Sequence, residues 1–357
     1  MIFTYHVSRF KILLMNFLIL GAGAIGIYIG GRLAEAGHGV TFIARPAAAE
    51  ALRAGVRLKF KDEEKTVREI SVCTSPAQAL AAQRGSYDVL VFALKSFDTA
   101  TALSELCAVT TTPPPLLCLQ NGVDNEPEIA RMFGAEHVIA GTVTTAVSLV
   151  RAGEIVVERE RGVGIALGHA LSLPLAEALA GAGFKTRTYP AAGPMKWSKL
   201  FANLIGNATS AILDLSTAEL FADPRLFAVE RAMLLECLAV MRALKQDVVD
   251  LPGIPTRLLA FALAGLPPFL ARPLVRRGVS AGRGAKMPSF HVDLHARQRQ
   301  TEVHWLNGAV VRHGAQVGVP TPVNQILTET LEALSEGHLS KEDFRRKPEA
   351  LLRLING

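Results

Sequence analysis

Cysteine is scarce. The 357 residues hold four, Cys73, Cys107, Cys118 and Cys237, and no two are close in sequence. This excludes a disulfide-stapled scaffold and a zinc ribbon, and it fits the reducing setting of the cytoplasm. Internal repeats and low-complexity tracts are lacking too. No G-x-S-x-G elbow, no phosphate-loop lysine motif and no H-E-x-x-H pair is found. His291 and His295 are spaced H-x-x-x-H, but no glutamate follows the first, so no metal is expected. Charged residues make up only 20% and hydrophobic residues 50%, which rules out a disordered chain. The length and apolar content suffice for two cores, so two domains are the starting expectation. The net charge of +6 is compatible with nucleic acid, and equally with an anionic cofactor and substrate.

Between Lys11 and Arg32 no residue is charged. A run of that length could span a membrane, and Arg9 and Lys11 before it resemble the start of a leader. Its glycines speak against both. Gly21, Gly23, Gly26, Gly30 and Gly31 divide the run into a short strand (Asn16 to Leu20), a turn and the start of a helix. A parallel strand buried on both faces is a continuous apolar run for the same reason a membrane helix is. Residues 1–14 then form an extension ahead of the fold. The next longest uncharged stretch, Leu258 to Ala271, is shorter and contains Pro267-Pro268.

Residues 16–120 alternate between strand-like and helix-like runs. NFLIL, VTFIA, DVLVFAL and PLLCLQ are the strands; Ile25–Ala36 and Thr99–Ala108 are the helices. Such alternation builds a parallel sheet with crossover helices. From Val138 to Gly168 the pattern is β-rich and interrupted by Gly153 and Gly162, which suggests an antiparallel extension. A helix over Leu173–Ala182 and a strand at FKTRTY follow. After Pro190 the pattern is helical. The expected fold class is α/β: a Rossmann-type dinucleotide-binding domain over 15–190, then an all-α domain over 191–357. Residues 251–290 carry six basic side chains and no acidic one, which reads as a solvated cationic face or a site for phosphates or an acidic partner. No aromatic residues are interleaved with the basic ones from Arg272 on, so the stacking platform of a single-strand nucleic-acid binder is missing.

Gly21-Ala22-Gly23-Ala24-Ile25-Gly26 fits G-x-G-x-x-G, and it lies between a strand and a helix, the context that gives the motif meaning. Gly21 permits the tight turn, Gly23 lets backbone approach a pyrophosphate, and Gly26 lets helix pack on strand. The helix N-terminus offers unpaired N–H groups to phosphate. At the end of the second strand an NAD enzyme usually carries an acid for the ribose hydroxyl. This chain has Arg45 there, which could pair with a 2′-phosphate and favours NADP; it could equally be an exposed residue at a helix start.

Further on, Lys199, Asn203 and Asn207 recur at i, i+4 and i+8 among Leu200, Phe201, Leu204 and Ile205. Such a stripe is either the solvent face of an amphipathic helix or a set of polar groups lining a cleft. In the second case an unpaired amide would cost ~1–3 kcal/mol and needs a ligand or partner. Glu302 lies among apolar residues as well, where a carboxylate could meet a cation or a substrate hydroxyl.

Taken in order, GAGAIG at 21–26, Arg45, ALKSFDT with Lys95, LQNGVDN with Asn121-Gly122, K-L-x-x-N-x-x-x-N at 199–207 and SFHVD…TEVHWLNG at 289–308 resemble the ketopantoate reductase family (2-dehydropantoate 2-reductases) over about residues 15–334. The resemblance implies a Rossmann domain followed by an all-helical one. It implies NADPH as cofactor, with Lys95 and Asn121 near it and the interdomain cleft. It also implies Lys199 as general acid and Glu302 as the residue that anchors substrate and orients that lysine. Asn203, Asn207, Ser289 and Asn121 would bind substrate. The chain departs from the family by one more residue between Asp293 and Glu302 and by a longer, more basic 251–287. The implied activity is NADPH-dependent reduction of ketopantoate to (R)-pantoate in pantothenate and coenzyme A biosynthesis. Another 2-oxo acid as substrate, or a non-catalytic NADP(H) sensor, are the alternatives. The expected partner is the small 2-oxo acid, with neither nucleic acid nor membrane; a homodimer is left open.

Overall fold

The computed structural model describes residues 14–82, 86–283, 287–296 and 300–356. The sequence-based extension over 1–14 therefore falls outside the described residues except for Leu14, as do Lys286 of the basic stretch and residues 297–299, part of the Asp293–Glu302 stretch that departs from the family by one residue.

Twelve strands precede Pro190: β1 (Asn16–Leu20), β2 (Gly39–Ile43), β3 (Val56–Lys59), β4 (Glu64–Val67), β5 (Ser71–Cys73), β6 (Val89–Phe92), β7 (Leu116–Cys118), β8 (Val138–Val143), β9 (Ala146–Arg151), β10 (Glu154–Arg159), β11 (Val163–Ala166) and β12 (Thr186–Tyr189). Eight form one sheet in the order β12-β11-β8-β7-β6-β1-β2-β5. All of its pairings are parallel except β8 with β11. Phe17, Leu18, Ile19, Val89, Leu90, Val91 and Phe92 are fully buried, as strands covered on both faces must be. The chain leaves β1 toward β2 and returns to the other side for β6. The strand order therefore reverses between β1 and β6, and the crevice beyond their carboxyl ends is where such sheets bind ligands.

The uncharged run near the N-terminus resolves into β1 and the helix Ala24–Glu35. No helix among the described residues is long and apolar enough to cross a membrane. The β-rich stretch after Val138 differs from the simple antiparallel extension read from sequence. β8 joins the main sheet in parallel beside β7. β9 and β10, turned at Gly153 (φ +79°), leave it for a second sheet of order β4-β3-β10-β9. There β3 and β4 form a hairpin whose charged, half-exposed sequence (VRLK, EKTV) hides its strand character.

From Ala192 onward the described residues form helices, with one isolated bridge between Leu251 and Ile254. One apolar core unites them, built from Leu200, Phe201, Leu204, Phe227, Met233, Leu327 and their neighbours.

Candidate active site

The glycine turn sits at the switch point. Gly21 has φ +108°, a conformation that side chains resist, and a Cβ there would lie 2.8 Å from the Ala93 carbonyl beyond β6. A Cβ at Gly26 would lie 1.8 Å from the Gly21 oxygen, so only hydrogen lets the helix close on the turn. Gly23 is different: a Cβ there meets nothing within 4 Å. The space over Gly23 is open, at the N-cap of a helix with no acid in its first turn and no side chain on its free N–H groups. This is the arrangement that accepts a pyrophosphate, so the residues present fit a dinucleotide. Arg45 lies just past β2, ahead of the helix Pro46–Arg53, and its side chain is 85% exposed. Its nearest acid, Asp98, is 3.4 Å away, a loose contact that a phosphate could replace.

Lys95 follows β6 and Asn121 follows β7, so both stand at carboxyl ends of the sheet next to the turn. Each is bonded to the helical half. Lys95 Nζ lies 2.7 Å from Glu302 and 3.1 Å from Asp293, two carboxylates whose side chains are almost wholly buried. The other Glu302 oxygen accepts from the Ser96 backbone N–H and hydroxyl, both at 3.1 Å. Burial works to lower the Lys95 pKa, but the two carboxylates outweigh it and hold it above its ordinary value. The ammonium is thus fixed in its charged form. Asn203 donates to Asn121 Oδ1 at 2.9 Å.

Behind these contacts lies a buried polar network. Asn125 donates to the Asn121 carbonyl at 2.7 Å, and Gln120 donates to Thr99 at 2.8 Å. Farther along the interface, Asp124 takes Arg312 and His313, each at 2.7 Å. Burial would raise the Asp124 pKa, yet those two partners pull it below the usual carboxylate value.

Lys199 is half-buried on the helix Ala192–Leu204, which also carries Asn203. The expected single stripe ends there. Ile205 leaves the helical conformation, and Gly206 turns left-handed at φ +58°. The Gly206 N–H is taken by the buried carboxylate of Glu230 at 2.7 Å. Asn207 becomes the N-cap residue of a second helix, Ala208–Leu213. Its amide pairs with Ser289 Oγ at 3.3 Å, and its oxygen accepts the Phe290 N–H at 3.0 Å. Asn203 and Asn207 are therefore anchored to different segments. Glu302 stands at the start of the short 3-10 turn Val303–Trp305, and its hydrogen bonds go to Lys95 and Ser96 rather than to Lys199. The lysine beyond β6 reaches it because the Glu302 segment packs directly on that strand end.

Sequence reasoning passed over several members of this region. Ser96 and Asp293 belong to the Lys95 cluster; the signal for Asp293 was a lone carboxylate within the apolar SFHVD run. Lys196, one turn before Lys199, is wholly buried. Its Nζ donates to the carbonyl of Gln120 at 2.6 Å and that of Gly141 at 3.4 Å, and pairs with Glu126 at 2.7 Å. It ties the lysine helix to the loop holding Asn121. Asp214, His291 and His295 could hold a metal ion, since one ligand atom of each lies within 4.8 Å of the others. Their chemistry is already satisfied: His291 pairs with Asp214 at 2.7 Å, Arg345 with the same carboxylate at 3.1 Å, and His295 with the Ala211 carbonyl at 2.8 Å. The arginine opposes a second cation there.

Comparison with known proteins agrees with this architecture. The sequence pattern of the family described as Ketopantoate reductase PanE/ApbA matches residues 17–169, and that of its C-terminal part matches residues 193–335. A 2-dehydropantoate 2-reductase from Archaeoglobus fulgidus is 28% identical over 327 residues, covering 89% of this chain and 97% of that protein. One from Mycobacterium tuberculosis is 26% identical over 326 residues, with 89% and 97% covered. Among solved structures, a PanE/ApbA family ketopantoate reductase from Ralstonia eutropha JMP134 superposes with a TM-score of 0.76 at 30% identity, covering 90% of this chain and 99% of that one. D-Mandelate dehydrogenase, solved with NADH and anilino(oxo)acetate, shares the fold at a TM-score of 0.74 and 21% identity, with 90% and 99% covered.

Proposed function

The chain belongs to the ketopantoate reductase family, and on that premise we propose that it reduces 2-dehydropantoate (ketopantoate) to (R)-pantoate with NADPH, the reductive step toward pantothenate and coenzyme A. The observation that carries this reading is the 2.9 Å bond from Asn203 to Asn121. It joins the helix bearing Lys199 to the strand-end loop that follows β7, which supports a reading in which Lys199 acts at the cofactor crevice.

The glycine turn and the helix N-terminus would hold the pyrophosphate, and Arg45 the 2′-phosphate. NADPH supplies the hydride that reduces the ketone carbon. Lys199 stabilises the charge that develops on the carbonyl oxygen and donates the proton that completes the alcohol. Asn203, Asn207, Ser289 and Asn121 orient the 2-oxo acid. Glu302, held by Lys95 and Ser96, offers a fixed carboxylate edge to a substrate hydroxyl. The balance is one 2-oxo acid, one NADPH and one proton to one 2-hydroxy acid and one NADP⁺.

A second substrate class has one observation in its favour. Phe97 and Trp305 meet edge to face at 6.1 Å, next to Ser96 and near Glu302, which favours a 2-oxo acid with an aromatic side chain. The test is NADPH oxidation with a panel of 2-oxo acids that includes ketopantoate and phenylglyoxylate, using wild type and Lys199→Ala. Turnover is expected to be highest with ketopantoate and to fall about 10²–10⁴-fold in the variant at unchanged NADPH affinity. Tight NADPH binding with no turnover of any acid would identify a sensor instead.

A further inference from the structure

The basic stretch has no part in the reduction chemistry. Residues 251–290 contain no Asp or Glu. Its helices Thr256–Gly265 and Pro268–Arg283 pack inward through Ala260, Ala262, Leu263, Ala271 and Val275, which join the helical core. Their outer side is unusual. Twelve large apolar side chains are exposed among the described residues, and five of them fall here: Leu258, Phe261, Phe269, Leu270 and Leu274. Phe269 is 74% exposed. Scattered exposed apolar residues are ordinary; a cluster marks an interaction site.

Arginines frame the same surface. Phe269, Arg272, Pro273 and Arg276 recur at helical spacing and line one open depression together with Arg277; Arg257 lies on the neighbouring helix. No carboxylate among the described residues lies within ion-pairing distance of Arg257, Arg272, Arg276 or Arg277. Elsewhere Arg32, Arg151, Arg225, Arg312, Arg345 and Arg346 each hold one, whereas these four lie together on one face. Among the described residues, no ion pair neutralises the charge on this face. Contact with the same face of a second copy would set arginine against arginine, with no acid in the stretch to answer it.

We infer that this helical pair docks on an anionic phospholipid bilayer, the arginines on the headgroup phosphates and the Phe and Leu side chains in the acyl boundary. Helices that carry Arg beside exposed Phe and Leu lie in that interface, their long cationic side chains reaching the headgroups. Juxtaposed cations near an anionic leaflet add attraction that fades within a Debye length. The sequence had suggested no membrane partner, on the ground that nothing spans; peripheral docking needs no span. None of these residues is placed in the reduction site.

The test is cosedimentation of the full-length protein with vesicles of phosphatidylcholine alone or mixed with phosphatidylglycerol. Binding is expected only to the mixed vesicles and is lost at high salt. Arg276→Glu/Arg277→Glu is expected to weaken it by about tenfold or more, and Phe269→Ser/Leu270→Ser to weaken it as well. Both exposed double variants keep wild-type melting temperature and NADPH oxidation. No cosedimentation at low salt, or equal binding to neutral vesicles, overturns the inference. So does a wild-type dimer that the Phe/Leu variant converts to monomer without any vesicle binding. Binding of polyglutamate that matches the mixed vesicles and ignores the Phe/Leu change would assign the face to an acidic polypeptide and overturn it too.

Discussion

Glu302 accepts the Lys95 ammonium at 2.7 Å from across the two halves of the chain. A carboxylate almost wholly buried meets a cation that is itself mostly covered. Removing one member strands the other in a poorly solvated place. Glu302→Ala should therefore lower folding stability by about 2–4 kcal/mol, less than for a fully buried pair because Lys95 keeps Asp293 and some exposure. Glu302→Gln, which can still accept from Ser96, should lose about half as much. Denaturant midpoints read this directly; an unchanged midpoint in the alanine variant would refute the role of the pair.

The roles of two glycines in the turn can be separated by one substitution each. Gly23→Ala adds a methyl group to open space, so melting temperature should hold while dinucleotide affinity falls about tenfold or more, because the methyl occupies the approach of the pyrophosphate. Gly26→Ala drives a methyl into the Gly21 carbonyl and should destabilise the fold itself. Unchanged nucleotide affinity in Gly23→Ala, measured by titration calorimetry, would mean that the turn does not cradle phosphate.

Arg45→Ala tests the choice of nucleotide. The guanidinium is exposed and only loosely engaged by Asp98, so its loss should leave stability within about 0.5 kcal/mol of wild type. KM for NADPH should rise about tenfold while that for NADH stays nearly constant. Parallel changes for both nucleotides would remove Arg45 from 2′-phosphate recognition.

Acid should expose a different feature. The Glu219 carboxyl is held down to about 2 by the Ser216 hydroxyl and then by Arg346, within a capping box at the start of the helix Thr217–Ala222. A depressed folded pKa contributes stability above the unfolded value and loses it as pH falls through the folded one. The melting-temperature gap between wild type and Glu219→Gln should be full above about 4.5 and close as pH approaches about 2. A gap independent of pH over that window would show that the carboxylate charge is irrelevant to the cap.

The parts of the molecule governed by local pattern were legible in advance. β1, the glycine turn and the helix after it follow from four consecutive apolar residues and three glycines, and the helical second half from its periodicity. What escaped was set by distant partners. The hairpin of β3 and β4 carries ordinary charged sequence and becomes a sheet only because β10 pairs with it. The stripe from Lys199 to Asn207 fits one helix by spacing, yet Glu230, far along the chain, captures the Gly206 N–H and helps end it. An isolated glycine in a helical pattern was the available warning. The partnership of Lys95 with Glu302 and Asp293 spans about two hundred residues and leaves no trace in spacing.

The break at Gly206 has a thermodynamic corollary. Asn203 gives an amide hydrogen to Asn121, and Asn207 is bonded to Ser289 and to the Phe290 N–H. On the proposed function, a 2-oxo acid bound by these amides would trade against standing bonds, so its polar groups would gain geometry more than affinity. Re-formation of the same two amide pairings would, on that function, ease release of the alcohol product.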